Sequence, residues 1–531
     1  MIKKIHIENY KIFGSFSLEL NDDLNIIVGD NEAGKSTVLE AIYLALTKKL
    51  NGKPIENELS PYLFNKECAL KYLDAIRAGE NPELPQILIE LYLLDQQNLQ
   101  YLKGANNSEK NDCIGIKLEI VFDEDYKAEY EKLIEDRSQI KVIPSELFKV
   151  RWYSFANNNI TSASLPIGAS FIDATTIRLQ SGTDYYLQNI INTGLDAKER
   201  VSLSVAYRNL KEKFSNEQAI KDINSKLVQK KGAITNKGLA ISIDISHKSN
   251  WETNLIPHLD ELPFQLIGKG EQNALKIMLA LERKADESHT ILIEEPENHL
   301  SFSSMNILLN RINEKCKGKQ IITTTHSAYV LNKLGIEKVI LLNGNSSAFL
   351  KNLPTDTQKY FKRLSGYDTL RLILAKRSIL VEGPSDELIV QKAYLLEHGK
   401  LPIEDGIDVI NVRGLSFSRF LDIAKEIKKD VIVVTDNDGD YNKNIVEKYK
   451  DYNGNANIKI CADKNNALNT LELHIAESND IPLLQKVLST KNDSKESLVQ
   501  YMINNKTECA LKIFETNEKI KLPDYVQNAI K

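Results

Sequence analysis

The chain has 531 residues, 42% of them hydrophobic and 27% charged, with a formal net charge of −5. That composition belongs to folded globular material of about three domains at roughly 100–200 residues each, and it excludes an all-over basic shell for nucleic acid, though not a local basic groove. Five dispersed cysteines without a C-x-x-C pair exclude a disulfide framework and a zinc ribbon, and no stretch reaches the ~18 apolar residues of a membrane span, so a cytoplasmic protein with no membrane partner is expected.

In chain order, "MIKKIHIENYKIFGSF" alternates polar and apolar residues, which predicts a strand and not a signal peptide. The apolar run Leu24–Val28 predicts a buried strand, and Val38–Ile42 a helix. Between them lies "GDNEAGKST", residues 29–37. Gly29-x-x-x-x-Gly34-Lys35-Ser36 is the phosphate-binding loop pattern. Its glycines let backbone N–H groups wrap an anion, Lys35 reaches the outer phosphates and Ser36 holds Mg²⁺. Asp30, Asn31 and Thr37 complete the expected nucleotide loop.

From Leu195, "LDAKERVSLSVAYRNLKEKFSNEQAIKDINSKLVQKK" is charged, helix-prone and poor in glycine and proline. It predicts a helical insert over roughly 180–235, read either as a dimerisation arm or as a surface decoration. "LIGKGEQNALKIMLALER" sets a glycine turn, Gly268 and Gly270, before a helix with apolar Ala274, Ile277, Met278 and Leu281. A plain helix-start turn explains it as well as a nucleotide contact through Gly270 and Gln272.

"HTILIEEPENHL" carries a short apolar strand, Ile291–Ile293, that ends in two carboxylates. Adjacent acids after a buried strand need a cation or solvent. Glu294 is expected at the Mg²⁺ water shell and Glu295 at the attacking water. "IITTTHSAYV" places His326 at the end of a further strand, where it senses the terminal phosphate.

A second module follows. "SILVEGPSDELIV" is a strand ending in Glu382-Gly383, then a helix. "DVIVVTDNDGD" is a strand followed by Asp436, Asp438 and Asp440, and a strand and helix lie between the two. Strands alternating with helices predict a parallel sheet with active groups at its C-terminal edge. In an extended chain Asp436 and Asp438 share a face, ~6.5–7 Å apart. Crowded carboxylates repel, and one or two Mg²⁺ or Mn²⁺ ions relieve them. Two metals ~3.5–4 Å apart are suited to phosphodiester cleavage. The calcium-loop pattern fails, because Gly439 comes one position early.

The first module resembles the ATPase heads of the ABC/SMC/RecF group, in which nucleotide is sandwiched between two heads. The Glu-Gly and D-x-D strand ends resemble the TOPRIM fold. Both in one chain, with "EEPENHL", "TTTHS", "LILAKRSILVEGPSDE", "DNDGD", "NTLELHI", "KTECALKIFE" and "LPDYVQNAI", resemble the OLD (overcoming lysogenization defect) nuclease family over nearly the full length. The resemblance implies an α/β chain, an ABC-type ATPase head with a helical insert followed by a TOPRIM parallel-sheet domain. The expected divisions are 1–180 and 236–365 for the ATPase halves, 181–235 for the insert and 366–531 for TOPRIM with a helical extension. The resemblance also implies metal ligands at Glu382, Asp436, Asp438, Glu472 and either Asp386 or Glu387, with Lys506 steadying transition-state charge. ATP is expected to gate cleavage through the segment near Ser365–Lys376.

The implied function is an ATP-regulated, divalent-metal-dependent DNA endonuclease in anti-phage defence, acting as a homodimer or larger homo-oligomer. A helicase or a reverse transcriptase with its nucleic acid is the implied partner. Two rivals stand beside it: a non-cleaving ATP-dependent DNA clamp, and a topoisomerase-like strand passer, which needs a tyrosine nucleophile near the metal.

Overall fold

The computed structural model describes all residues except 138–139, 162–163, 174–178, 181–182, 185–194, 230–239, 244–250, 252–257, 283–287, 316–317, 365, 367 and 414–416. The chain forms two compact units. One comprises Met1–Leu24 and Ser36–Thr324, the other Asn25–Lys35 and Thr325–Lys531. The phosphate loop and its strand therefore group with the C-terminal part of the chain.

In the first unit, an antiparallel sheet orders the strands Phe13–Glu19, Ile2–Tyr10, Ile87–Leu93 and Cys113–Phe122. Lys103–Gly104 and Phe148–Ser154 both pair with the last of these. The alternation at the N-terminus is what makes this sheet: Ile5 and Ile7 are fully buried, while Lys4 before them and His6 between them are not. The helix Lys35–Thr47 buries Val38, Leu39, Ile42 and Leu44 completely. Trp152 on the sheet donates its indole N–H to the Ala45 carbonyl, 2.8 Å, and ties the two layers together.

The same unit holds three parallel strands in the order Ile167–Asp173, Ser288–Glu294, Gln320–Thr324. Ile291, Leu292 and Ile293 are wholly buried, as a strand covered on both faces requires. The insert contains the helices Ala197–Ser215, opened by an Asp196/Glu199 capping box, and Gln218–Gln229. Its first residues differ from the helical expectation, since Leu179–Gln180 and Thr183–Asp184 form a two-stranded ribbon. Residues 181–182, 185–194 and 230–235 of the predicted 180–235 excursion lie outside the described residues.

In the second unit, Leu24–Gly29 pairs parallel with Val339–Asn343, which pairs antiparallel with Ser346–Phe349. A four-stranded parallel sheet follows, ordered Ile407–Asn411, Arg377–Val381, Val431–Val434, Ile458–Cys461. Ile379, Val381, Ile432 and Val434 pack into one core with Ile389, Ile475, Met502, Ile513 and Val526 from surrounding helices. Leu380 and Val433 point to the opposite face and are equally buried. All four strands run the same way, so their C-terminal ends share one edge.

Candidate functional site

The loop after Leu24–Gly29 is shaped by its glycines. A Cβ on Gly29 would stand 2.7 Å from the Leu342 carbonyl oxygen, and Gly34 has φ 93°. The Lys35 ammonium folds over the loop and donates to the carbonyls of Gly29, 3.0 Å, and Asp30, 2.9 Å. Asp30 and Asn31 are exposed. His326 lies with Asp30 on a cavity of about 880 Å³.

In the first unit, the Ser36 hydroxyl donates to the Glu294 carboxylate. Burial, with Asp173, Glu295 and Glu40 adding like charge, pushes the Glu294 carboxyl above its ordinary range. Glu295 adopts the left-handed region, φ 47°, a sparse conformation for a residue with a Cβ. Its N–H donates to Thr324 and its carboxylate accepts from the Asn298 amide, 2.6 Å. Thr37 is half-buried in the first turn of the following helix.

Gly270 and Gln272 stand in the first turn of the helix Lys269–Glu282. A Cβ on Gly270 would meet the His299 carbonyl oxygen at 2.1 Å, so glycine is required there by close packing. Gln272 is 3% exposed and donates to the carbonyls of Phe264, 2.9 Å, and Ile267, 2.8 Å. The Gln272 amide nitrogen thus braces a helix-start turn, while its side-chain oxygen is buried without a hydrogen-bond partner.

At the C-terminal edge of the four-stranded sheet is a second cavity, about 470 Å³, lined by Glu382, Asp386, Asp436, Asp438, Glu472 and Lys506. Glu382 directly follows the Arg377–Val381 strand. Burial, and then Asp438, raise its carboxyl, while Lys448 and Lys506 draw it back. Asp386 sits in the first turn of the helix Pro384–His398 and accepts the Gly383 N–H, 3.0 Å. Burial pushes its carboxyl up to about 6. Glu387, one residue on, feels Arg371, Asp408 and Asp368 instead. Of the two acids left open by the sequence, it is Asp386 that lines this cavity.

Asp436 accepts from the Tyr525 hydroxyl, 3.1 Å, and from the Leu471 N–H, 3.2 Å. Burial first, then the charges of Asp386 and Glu472, push its carboxyl up to about 7. The D-x-D pair is not brought together by an extended strand. The strand stops at Val434, and Asn437, 1% exposed, is held by the carbonyls of Asp463, 3.0 Å, and Asn465, 2.9 Å. Asp438 then turns into the left-handed region at φ 49°. A local turn, not the pleat, presents both acids to one cavity.

Glu472 is 4% exposed. One carboxylate oxygen stands 3.5 Å from the Lys506 ammonium, and the other is buried without a hydrogen-bond partner. An orphaned carboxylate oxygen in a cavity with four other acids is costly as it stands. An all-oxygen donor set of this charge fits a hard divalent cation. Among the described residues no three acidic, histidine or cysteine side chains already converge on one ion position. Glu382 and Asp438 are the exposed members.

A family model described as AAA ATPase domain matches residues 1–331, more than half of the chain. The chain belongs to the AAA ATPase domain family. Residues 373–438 of this ATPase match a second model, described as overcoming lysogenization defect protein-like, TOPRIM domain. The ATPase is 25% identical over 346 residues to a Helicobacter pylori ATP/GTP phosphatase, covering 62% of this chain and 85% of that one. It is 22% identical over 463 residues to the Bacillus cereus endonuclease GajA, covering 82% and 74%. A Clostridium beijerinckii RecF, a DNA replication and repair protein, matches at 25% over 194 residues, 35% and 51%. The two-part fold expected from the sequence, an ATPase head followed by a TOPRIM sheet, is the fold of this ATPase. Among its described residues no helix is long and apolar enough to cross a membrane.

Sequence reasoning missed three side chains at the cavity. Tyr525 holds Asp436, and Asn411 and Arg413 line the wall. Tyr525 lay within a family-like stretch but carried no chemical signal of its own. Arg413 is betrayed only by its backbone, φ 53°.

Proposed function

We propose that this ATPase is an ATP-regulated DNA endonuclease whose TOPRIM cavity uses Mg²⁺ or Mn²⁺, and that it serves as an anti-phage effector in a homo-oligomer. One observation carries the reading. Five carboxylates from Glu382 to Glu472, with Lys506, line a single cavity at the parallel sheet edge. Glu382, Asp386, Asp436, Asp438 and Glu472 would hold the ions. Bound there, a divalent ion supplies Lewis-acid activation of water and of the leaving oxygen. Tyr525 and the Leu471 N–H hold Asp436 in one orientation, and Lys506 offers positive charge to the scissile phosphate. On the nucleotide side, Lys35 would give up its loop carbonyls for phosphate oxygens, and Ser36 and Glu294 would be the residues to hold magnesium.

The grouping of the phosphate loop with the TOPRIM half supports a gating role for ATP. Asp30 and His326 share their cavity with Arg371, Gly406, Asp408 and Lys429. Burial pushes the Lys429 ammonium down, and attraction to Asp30 and Asp430 counters that. The Arg371 guanidinium grips the Asp408 carboxylate from two nitrogens, the longer bond 2.9 Å, which clamps the helix Thr369–Leu374 to the strand Ile407–Asn411. Charge arriving at the loop thus has a short route into the TOPRIM sheet. The strand-passing alternative fares worse. Tyr449 and Tyr525, the tyrosines that feel these carboxylates, are buried with hydroxyls pushed far up, the reverse of a nucleophile.

The test is plasmid cleavage with Mg²⁺ or Mn²⁺, with and without ATP, in wild type and Lys35→Ala. Cleavage whose ATP response vanishes in Lys35→Ala is expected. An ATP response that survives the substitution removes the gate, and tight DNA binding with no nicking under any condition removes the nuclease.

A further inference from the structure

The strand Ser288–Glu294 gives way to a short turn at Glu295, and that turn is bent at both ends. Glu295 lies in the left-handed region at φ 47°, and His299 does so again at φ 63°. A residue with a Cβ is held there against a steric cost, and such strain clusters where a side chain must be aimed. The Glu295 N–H is shared between the carbonyl and hydroxyl oxygens of Thr324 on the neighbouring strand, 3.2 Å each. The Glu295 carbonyl accepts the Asn298 N–H, 3.1 Å, which closes the turn. The Asn298 side chain then comes back over the turn, and its amide donates to the Glu295 Oε2, 2.6 Å. The turn is itself seated on the helix Lys269–Glu282. Gly270 leaves room for the His299 carbonyl, and the buried Asn273 amide donates to the Pro296 carbonyl, 3.4 Å.

Closing the turn needs only the backbone N–H of Asn298. The side-chain amide on the carboxylate is a further contact, and a hydrogen bond to an ionised oxygen is strong and directional. The last torsion of a glutamate is otherwise broad, so its carboxylate plane swings easily. With Oε2 held by Asn298, that plane is fixed and Oε1 keeps one direction. The place of this carboxylate matters. Ser36, in the first turn of the helix that follows the phosphate loop, donates to Glu294. Glu295 is the next residue, at the same strand end.

We propose that Asn298 is a positioning residue for ATP hydrolysis, its amide setting the Glu295 carboxylate towards the attacking water. This rests on the reading of Glu295 as the residue at that water, and it is independent of the endonuclease reading. In the step it serves, the water oxygen bonds to the terminal phosphorus, a water proton passes to the Glu295 carboxylate, and the bond to the departing ADP oxygen breaks. Asn298 acts on the carboxylate and not on the nucleotide, so it governs turnover and not binding.

Two variants separate this role from that of a turn residue. Asn298→Ala removes the amide. Asn298→Asp keeps the shape and the turn preference of asparagine, but sets a carboxylate oxygen where the donor stood. Phosphate release from ATP by the full chain is followed over a range of ATP concentrations, with and without DNA. Affinity for a fluorescent ATP analogue and melting temperature are measured alongside. Asn298→Ala is expected to lower kcat roughly tenfold, with KM and analogue affinity little changed. Asn298→Asp should lower kcat further while melting no lower than Asn298→Ala. Wild-type kcat in Asn298→Ala overturns the inference. So does an aspartate variant more active than the alanine variant, which marks a residue that only closes its turn. A loss that falls on KM and analogue affinity in place of kcat puts Asn298 in nucleotide binding and overturns it as well. A wild type that binds the analogue and hydrolyses no ATP, or a Glu295→Gln variant that hydrolyses it at the wild-type rate, removes the reading of Glu295, and this role with it.

Discussion

Asp436→Asn should stabilise the metal-free protein. In the fold the Asp436 carboxyl is raised from 3.8 to about 7, chiefly by burial and then by Asp386 and Glu472. A carboxyl raised on folding favours the native state while it is protonated. That contribution is full below the unfolded value and is lost as pH rises through the folded one. At about pH 8 the wild-type group is ionised in a place that resists charge. Three units at about 1.4 kcal/mol each set a ceiling of ~4 kcal/mol. Asp436 is only half-buried and two hydrogen-bond donors already serve it, so a gain of about 1–3 kcal/mol is the working figure. Asparagine drops the charge and keeps one acceptor: with its oxygen on the Leu471 N–H, its amide N–H can donate to the Tyr525 hydroxyl oxygen in place of the bond that oxygen now donates. For a unit of this size the melting transition should rise by about 5 °C at pH 8, and by clearly less near pH 5. Differential scanning calorimetry in EDTA measures it. Adding Mg²⁺ should then raise the wild type and leave Asp436→Asn nearly unmoved. A variant that melts at or below wild type at pH 8 without metal would refute the electrostatic crowding on which the cation site rests.

Other outcomes follow from the same geometry. Mn²⁺ affinity should fall as pH drops from about 8 towards 5, with protons released on binding, because Asp386 and Asp436 titrate at about 6 and about 7 before an ion displaces their protons; calorimetry in two buffers of different ionisation heat reads this. Tyr525→Phe removes one donor from Asp436 and should slow cleavage several-fold, with a loss of about 1 kcal/mol in stability, seen in paired activity and melting curves. Gly29→Ala has no room beside the Leu342 carbonyl, so ATP affinity measured with a fluorescent analogue should drop at least tenfold while metal binding at the TOPRIM cavity is unchanged. Lys429→Ala should retain both ATP binding and basal nicking yet blunt the effect of ATP on nicking; an undiminished ATP response excludes the Asp30–Lys429 route.

The phosphate loop, the strand-end acids and the two-part fold could be read from the chain because each has chemistry packed into a few adjacent residues. Gly29 to Ser36 and Ile291 to Glu295 state strand, turn and charge within one line of sequence. Other features depend on rotation about a helix or on contacts across long sequence distance. Asp386 and Glu387 are adjacent acids, and only the helix's first turn decides which meets the cavity. Asp436 and Asp438 looked like one pleated face, yet buried Asn437 turns the chain between them. Gln272 braces its glycine turn through carbonyls five and eight residues earlier, a contact that the turn's sequence does not announce. Tyr525 meets Asp436 across most of the TOPRIM half, a pairing that no local pattern announces.

The decisive measurement is nicking of supercoiled plasmid by wild type and Glu382→Ala, in Mg²⁺ or Mn²⁺ and in EDTA. Relaxed circles formed by wild type only with a divalent ion, and none above background with the variant, are predicted. Equal nicking by Glu382→Ala, or nicking by wild type in EDTA, contradicts a nuclease built from acids gathered at the edge of a parallel sheet.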